Sequence, residues 1–279
     1  MIETVLHRWL HIPYPLHVRY RRRVKKPLVT LLFIHGLGNS GEAWDGVIER
    51  LPQDVNIITI DLLGFGDSPR PDWAVYNAKT QARSVLATLL KLGVASPVII
   101  VGHSLGSLVA IEIAKRYPLI VRALVLCSPP LYDTSDTKRT FAIRSDALLR
   151  QLYLAATQRP EDFVRLSALA MKYQLINKAF NVTTDNIDSY MATLKTMIIN
   201  QSSLRDAYRI TVPTVILRGL LDPLVVGKHL RKLAKQQPNV TITTVAAGHE
   251  VKGLFTGAVV NAIKQLLPPA KKSVINKLK

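Results

Sequence analysis

Residues 97–114, PVIIVGHSLGSLVAIEIA, constrain the fold more tightly than any other stretch of the chain. Val98, Ile99, Ile100 and Val101 form a β-branched apolar run, which suits a strand buried on both faces. From Leu105 to Ala114 the apolar residues recur at helical spacing. Between the two lies Gly102-His103-Ser104-Leu105-Gly106, which reads G-x-S-x-G. A serine on so sharp a strand-to-helix turn sits in a strained backbone, and the turn closes only where neighbouring side chains are missing. Because the turn opens a helix, its free backbone N–H groups point into the space beside the serine oxygen.

The rest of the chain repeats the alternation of strand and helix. Short apolar runs at 28–34, 55–60, 121–127, 213–219 and 240–246 predict further strands. Helical spacing is expected over about 42–51, 77–92, 224–236 and 253–267. This order predicts an α/β fold, a mostly parallel central sheet with helices on both faces. At 279 residues and 48% apolar composition the chain can form one domain of this kind. Residues 28–129 and 211–267 make up the expected core, and 130–210, where helical spacing replaces the strand pattern, make up a helical insertion. Residues 1–27 form a basic segment with room for edge strands, and 268–279 form a basic tail.

The stretch HGLGNSG at 35–41 raises a choice. From Gly36 it reads G-x-G-x-x-G, and Asp61 ends the next apolar run about twenty residues on, as a dinucleotide site requires. That reading leaves Ser104 and its partners as coincidences. In an acyl-transfer site, by contrast, the turn brings the N–H of Leu37 opposite that of Leu105 to form an oxyanion hole. Gly36 and Gly38 then let the backbone approach the substrate. Asp61 and Asp67 are expected to form turns through local side-chain bonds.

A serine hydroxyl needs a base, and the base needs an orienting acid. Of seven histidines, His7, His11 and His17 fall in the N-terminal segment, and His229 lies on a basic helix whose face is expected to be solvated. His35 and His103 sit within the two glycine turns, where local hydrogen bonds are expected. His249, after the last strand, is the candidate base. Asp222, after the penultimate strand, is the candidate acid, with Asp133 in reserve; the chain order is then Ser, Asp, His.

With these residues in place the sequence resembles the α/β-hydrolase family over about residues 28–267. The matching features are His35-Gly36-Leu37-Gly38 with Trp44, the stretch Asp61 to Ser68, the elbow at 102–106, Asp222 and Gly248-His249. The resemblance implies Ser104 as nucleophile, Asp222 as acid, His249 as base, the Leu37 and Leu105 amides as oxyanion donors, and the 130–210 insertion as a helical cap. Two residues depart from the usual pattern: Ser107 stands where many relatives have glycine, and Pro223 directly follows Asp222. Serine at 104 argues against the dehalogenase and epoxide hydrolase branches, which need a carboxylate nucleophile.

The expected activity is hydrolysis of a small or medium carboxylic ester, with no cofactor and no metal. Two alternatives use the same triad for C–C bond cleavage or for acyl transfer to peroxide, and a third is a receptor-like protein that binds ligand without turnover. Leu148, Leu152, Tyr153, Phe163, Met171, Tyr173 and Met197 either line an apolar substrate pocket or pack the insertion's helices together.

Charge and cysteine content bound the partners. Of the net charge of +18, residues 1–27 carry +6 and residues 264–279 carry +5. Such ends are either solvated or drawn weakly to the surface of an anionic membrane. No motif for specific nucleic-acid binding accompanies them. The single cysteine, Cys127, rules out an internal disulfide and fits a reducing, cytoplasmic setting. Oligomeric state leaves no mark in the sequence.

Overall fold

The computed structural model describes residues 3–132, 154, 157–173 and 178–269. Seven strands form one sheet: β1 (Val18–Arg22), β2 (Thr30–Ile34), β3 (Asn56–Ile60), β4 (Val98–His103), β5 (Val121–Cys127), β6 (Thr214–Gly219) and β7 (Val240–Val245). Their order is β1-β3-β2-β4-β5-β6-β7. β1 runs antiparallel at the edge beside β3, and every other pairing is parallel. The chain belongs to the α/β class, with the strands where the apolar runs put them.

Alternation along the strands divides the core in two. Leu32 and Ile34 of β2, with Ile58, Ile60 and Ile100, face α2 (Ala78–Lys91) and α3 (Leu105–Arg116). Leu31 and Phe33, with Ile57, Ile99 and Val101, face Trp44 and Val47 on one side of the chain and Phe255 and Val259 on the other. Residues buried on both faces carry the continuous β-branched runs that parallel sheets require. For the helices that cover the second face, α1 is Asp45–Ile48, and the C-terminal helix is Leu254–Leu266.

Between β5 and β6 the regular elements among the described residues are all helical. They form α4 (Pro160–Lys172), α5 (Ile187–Thr193), a π-helical continuation at Leu194–Ile199, and α6 (Ser203–Ala207). After β6 comes α7 (Gly227–Gln236), and the C-terminal helix is α8. A further π-helical turn, Thr4–Trp9, precedes β1. No described helix is long and apolar enough to cross a membrane. Of the insertion's apolar side chains, Met197 is 2% exposed and part of the core, while Tyr173 is 69% exposed. Leu148, Leu152, Tyr153, the reserve acid Asp133 and the tail beyond residue 269 lie outside the described residues.

Candidate active site

Because β2, β4, β5, β6 and β7 are parallel, their carboxyl ends open on one edge of the sheet, where ligands bind in open α/β sheets. β2 delivers His35-Gly36-Leu37, β4 delivers Ser104, β6 leads to Asp222 and β7 to His249.

Ser104 has φ 50° and ψ −115°. This left-handed strain for a residue with a side chain is the geometry the elbow pattern predicts. Room for the turn comes from its glycines: a Cβ at Gly106 would stand 2.3 Å from the Ile34 carbonyl oxygen. Two bonds hold the strained turn in place. The Ser104 amide donates to the Cys127 carbonyl at 2.8 Å. The buried Ser107 hydroxyl donates to the Gly102 carbonyl at 2.8 Å. Ser107, the departure from the glycine pattern, therefore ties the first turn of α3 back to β4.

His249 and Asp222 meet at 2.8 Å, Nδ1 to Oδ2. An ionised carboxylate can only accept, so His249 Nδ1 is the donor in this bond and Nε2, the other ring nitrogen, takes no part in it. Pro223 has no N–H, and the next amide, Leu224, donates to Asp222 Oδ1 at 2.9 Å. Proline at 223 thus leaves the acid in place. Burial pushes the Asp222 carboxyl up, but the His249 hydrogen bond, attraction to its ring and the Leu224 amide more than offset this and hold it below its usual value. Among the described residues the Ser104 hydroxyl makes no hydrogen bond, and contacts between a nucleophile and its base tighten as substrate binds.

The glycine turn lies against the elbow, since a Cβ at Gly36 would stand 3.4 Å from the Ser104 Cβ. The turn closes through Asn39 N to Gly36 O at 3.2 Å. Among the described residues the Leu37 amide has no backbone acceptor, and the Leu105 amide is the first of α3, where an intrahelical partner is missing.

Several side chains do something other than the sequence suggests. His229 is 6% exposed, not solvated, and its Nδ1 donates to the Leu131 carbonyl at 2.9 Å. His103 makes its bond far along the chain and not locally: Nε2 donates to the His249 carbonyl at 2.9 Å, linking the elbow to the loop that carries the imidazole. Burial lowers the His103 pKa. His35 does bond locally, Nδ1 to Gly36 O at 2.7 Å, but its Nε2 also accepts from the Leu62 amide at 2.9 Å. Asp61 is wholly buried. Its carboxylate accepts from the Gly41 amide at 2.8 Å and the Asp67 amide at 2.9 Å, and Arg19 contacts it at 2.5 Å. The acid that completes the dinucleotide pattern is thus directed inward to the turn. His17, Asp61 and Asp67 approach one another, but Arg19 already bridges both carboxylates, at 2.5 and 2.7 Å. No signal in the sequence links Arg19 to Asp61 or His103 to His249, because neither pair shares an element or a periodicity.

The fold and this edge define a class. The sequence matches the family profile of the alpha/beta hydrolase fold over residues 29–253, and the chain belongs to that family. It is 26% identical over 249 residues to 2-(acetamidomethylene)succinate hydrolase of Mesorhizobium japonicum, covering 85% of this chain and 87% of that protein. A match to the Arabidopsis thaliana protein named Probable lysophospholipase BODYGUARD 4 is 32% identical over 114 residues, 40% of this chain and 27% of that one. Here the chain spans about a quarter of the relative's length. Among solved structures, a thermophilic esterase from Thermogutta terrifontis superposes with a TM-score of 0.71 at 18% identity, covering 91% of this chain and 94% of that one.

Proposed function

We propose that this hydrolase-fold protein is a cofactor-independent serine hydrolase acting on a small or medium, apolar carboxylic ester. The observation that carries the reading is the 2.8 Å contact between His249 Nδ1 and Asp222 Oδ2 on the sheet edge that also presents Ser104 in its strained turn. The ester carbonyl is placed against the Leu37 and Leu105 amides. Ser104 Oγ attacks the carbonyl carbon as His249 Nε2 takes its proton, and the developing oxyanion rests on the two N–H groups. The protonated imidazole, steadied by Asp222, then gives that proton to the alcohol oxygen, and the alcohol leaves. Water activated by His249 next attacks the acyl-enzyme, the acid departs, and Ser104 recovers its proton. The insertion's role as a cap is supported by its described residues next to the glycine turn: Phe180 packs near Gly38, and the Asn181 amide donates to the Gly38 carbonyl at 2.7 Å.

A fluorophosphonate probe and a panel of p-nitrophenyl esters of graded chain length test this reading. Wild-type protein should label and turn over at least one ester. Ser104→Ala should abolish labelling and lower kcat by about 10⁴-fold or more, and Asp222→Asn by about 10⁴-fold. Labelling without turnover of any ester favours the second reading, C–C cleavage or acyl transfer to peroxide. Absence of labelling by the probe sinks both.

Two accompaniments belong to the proposal. A cytoplasmic setting suits the wholly buried, free Cys127. Weak attachment to anionic membranes through the basic ends is supported by exposed Arg21, Arg23, Lys25 and Lys26. Co-sedimentation with anionic vesicles should then fall steeply as salt rises.

A further inference from the structure

The N-terminal segment forms one side of an open cleft of about 380 Å³, and neither the triad candidates Ser104, Asp222 and His249 nor the Leu37 and Leu105 amides line it. Residues 7–14 form one side, and residues 73–84, from the loop before α2 and its first turns, form the other. His7 stacks on Tyr14 with ring centroids 3.6 Å apart, and Tyr14 lies 6.0 Å from Trp73, so the two sides meet through aromatic rings.

Two kinds of chemistry face this space. Ile12, Leu63, Trp73 and Val75 make an apolar wall, and Arg8 and Arg83 supply two guanidinium groups. Neither arginine has an acidic partner among the described residues. Arg83 donates to the His11 carbonyl at 2.9 Å, which fixes its head at the cavity. Ser84 also lines the cavity; it is 1% exposed, and its hydroxyl has no hydrogen-bond partner among the described residues. A buried hydroxyl without a partner is costly unless something supplies one. Burial, and after it the charge of Glu3, raises the Tyr14 pKa, but Glu3 is not part of the lining. The chain beside the cavity also leaves Trp9 73% and Leu10 61% exposed, and Val75 on its wall is 59% exposed. Guanidinium groups with no carboxylate partner among the described residues, beside an apolar wall and an apolar rim, match a ligand that is anionic at one end and aliphatic along its length.

We propose that this cavity binds a single-chain amphiphile with an anionic head, a carboxylate or phosphate on an alkyl chain. Arg8 and Arg83 hold the head, and the chain lies along Ile12, Leu63, Trp73 and Val75. The site is independent of the reading of Ser104: it needs no turnover and shares no residue with the triad.

A decanoate analogue with a diazirine in its chain tests this by photocrosslinking to the intact protein and peptide mapping. Adducts should fall on peptides containing residues 7–14 and 73–84. The matching alcohol, which keeps the chain and lacks the charge, should label at least tenfold less, as should protein with Arg8→Gln and Arg83→Gln together. Val75→Asp, at an exposed position that leaves the core intact, should also cut labelling about tenfold. Calorimetry across hexanoate, octanoate and decanoate should show affinity rising by about fourfold per added methylene. Presenting the probe in phosphatidylserine-containing vesicles, as against free in solution, tells whether the bilayer or the monomer is the source; labelling of the two peptides in either arm supports the site. Adducts confined to peptides around Ser104, labelling unchanged by the charge variants, or no adducts in either arm would overturn it.

Discussion

Asp61 shows how one side chain can hold a turn that the backbone alone would not hold. Its carboxylate is removed from water, which by itself favours the neutral acid, yet Arg19 and the amides of Gly41 and Asp67 outweigh burial and keep its pKa below the usual range. Arg19 lies on the edge strand β1, and Asp61 directly follows β3, so this contact fastens the N-terminal segment to the turn that lies beside Ser104. Arg19→Met should therefore leave a buried charge without its counterion and cost about 3 kcal/mol or more in urea unfolding. Adding Asp61→Asn to that variant should restore part of the loss, since the charge that needed a partner is then gone. A single-variant cost below about 0.5 kcal/mol would mean that the two amides suffice and that Arg19 is incidental.

At the scale of elements, legibility divides along a physical line. The parallel strands were readable because burial on both faces forces unbroken apolar runs such as VIIV, and α3 was readable because a glycine turn announces its start. The site residues at strand ends followed from the same logic, since a parallel sheet gathers those ends on one edge. What escaped were links that leave no period: His103 to the His249 carbonyl, His229 to the Leu131 carbonyl, and the segment that joins the insertion to the glycine turn. In that segment Asn186, 4% exposed, accepts from the Thr183 amide at 2.9 Å and donates to the Asn181 carbonyl at 2.7 Å. It thereby fixes the residues whose backbone reaches Gly38. Asn186→Ala orphans both groups, at roughly 2 kcal/mol of local stability, and shifts the turn that carries the Leu37 amide. For an ester the protein turns over, kcat should drop on the order of tenfold while the rest of the fold melts nearly as before. Unchanged kcat and KM would show that the strap is decoration on a turn already rigid.

For the whole molecule, the buried titratable groups set the limit of acid tolerance. His35 is 0% exposed and neutral in the fold; burial, the largest influence, lowers its pKa from 6.5 to about 4. His103 is shifted in the same direction by the same cause. As pH falls from about 6.5 towards 4, the unfolded chain takes up a proton at His35 that the native protein refuses, so the folded state loses stability across that window. The full loss from His35 is about 3 kcal/mol, complete once pH passes below its native pKa. Asp61 and Asp222, both held below the ordinary carboxylate value, add their losses only at lower pH, as protons reach them. His35→Gln separates these contributions. It costs stability at neutral pH through the broken bonds to Gly36 and Leu62, but it removes one proton-linked penalty. The unfolding free energies of wild type and variant, followed by urea titration from pH 7 to pH 4, should therefore converge by about 3 kcal/mol. His103, lowered by the same cause, keeps its own contribution to the slope in the variant. Parallel curves over that range would mean that His35 titrates alike in the folded and unfolded chains and that burial does not hold it neutral.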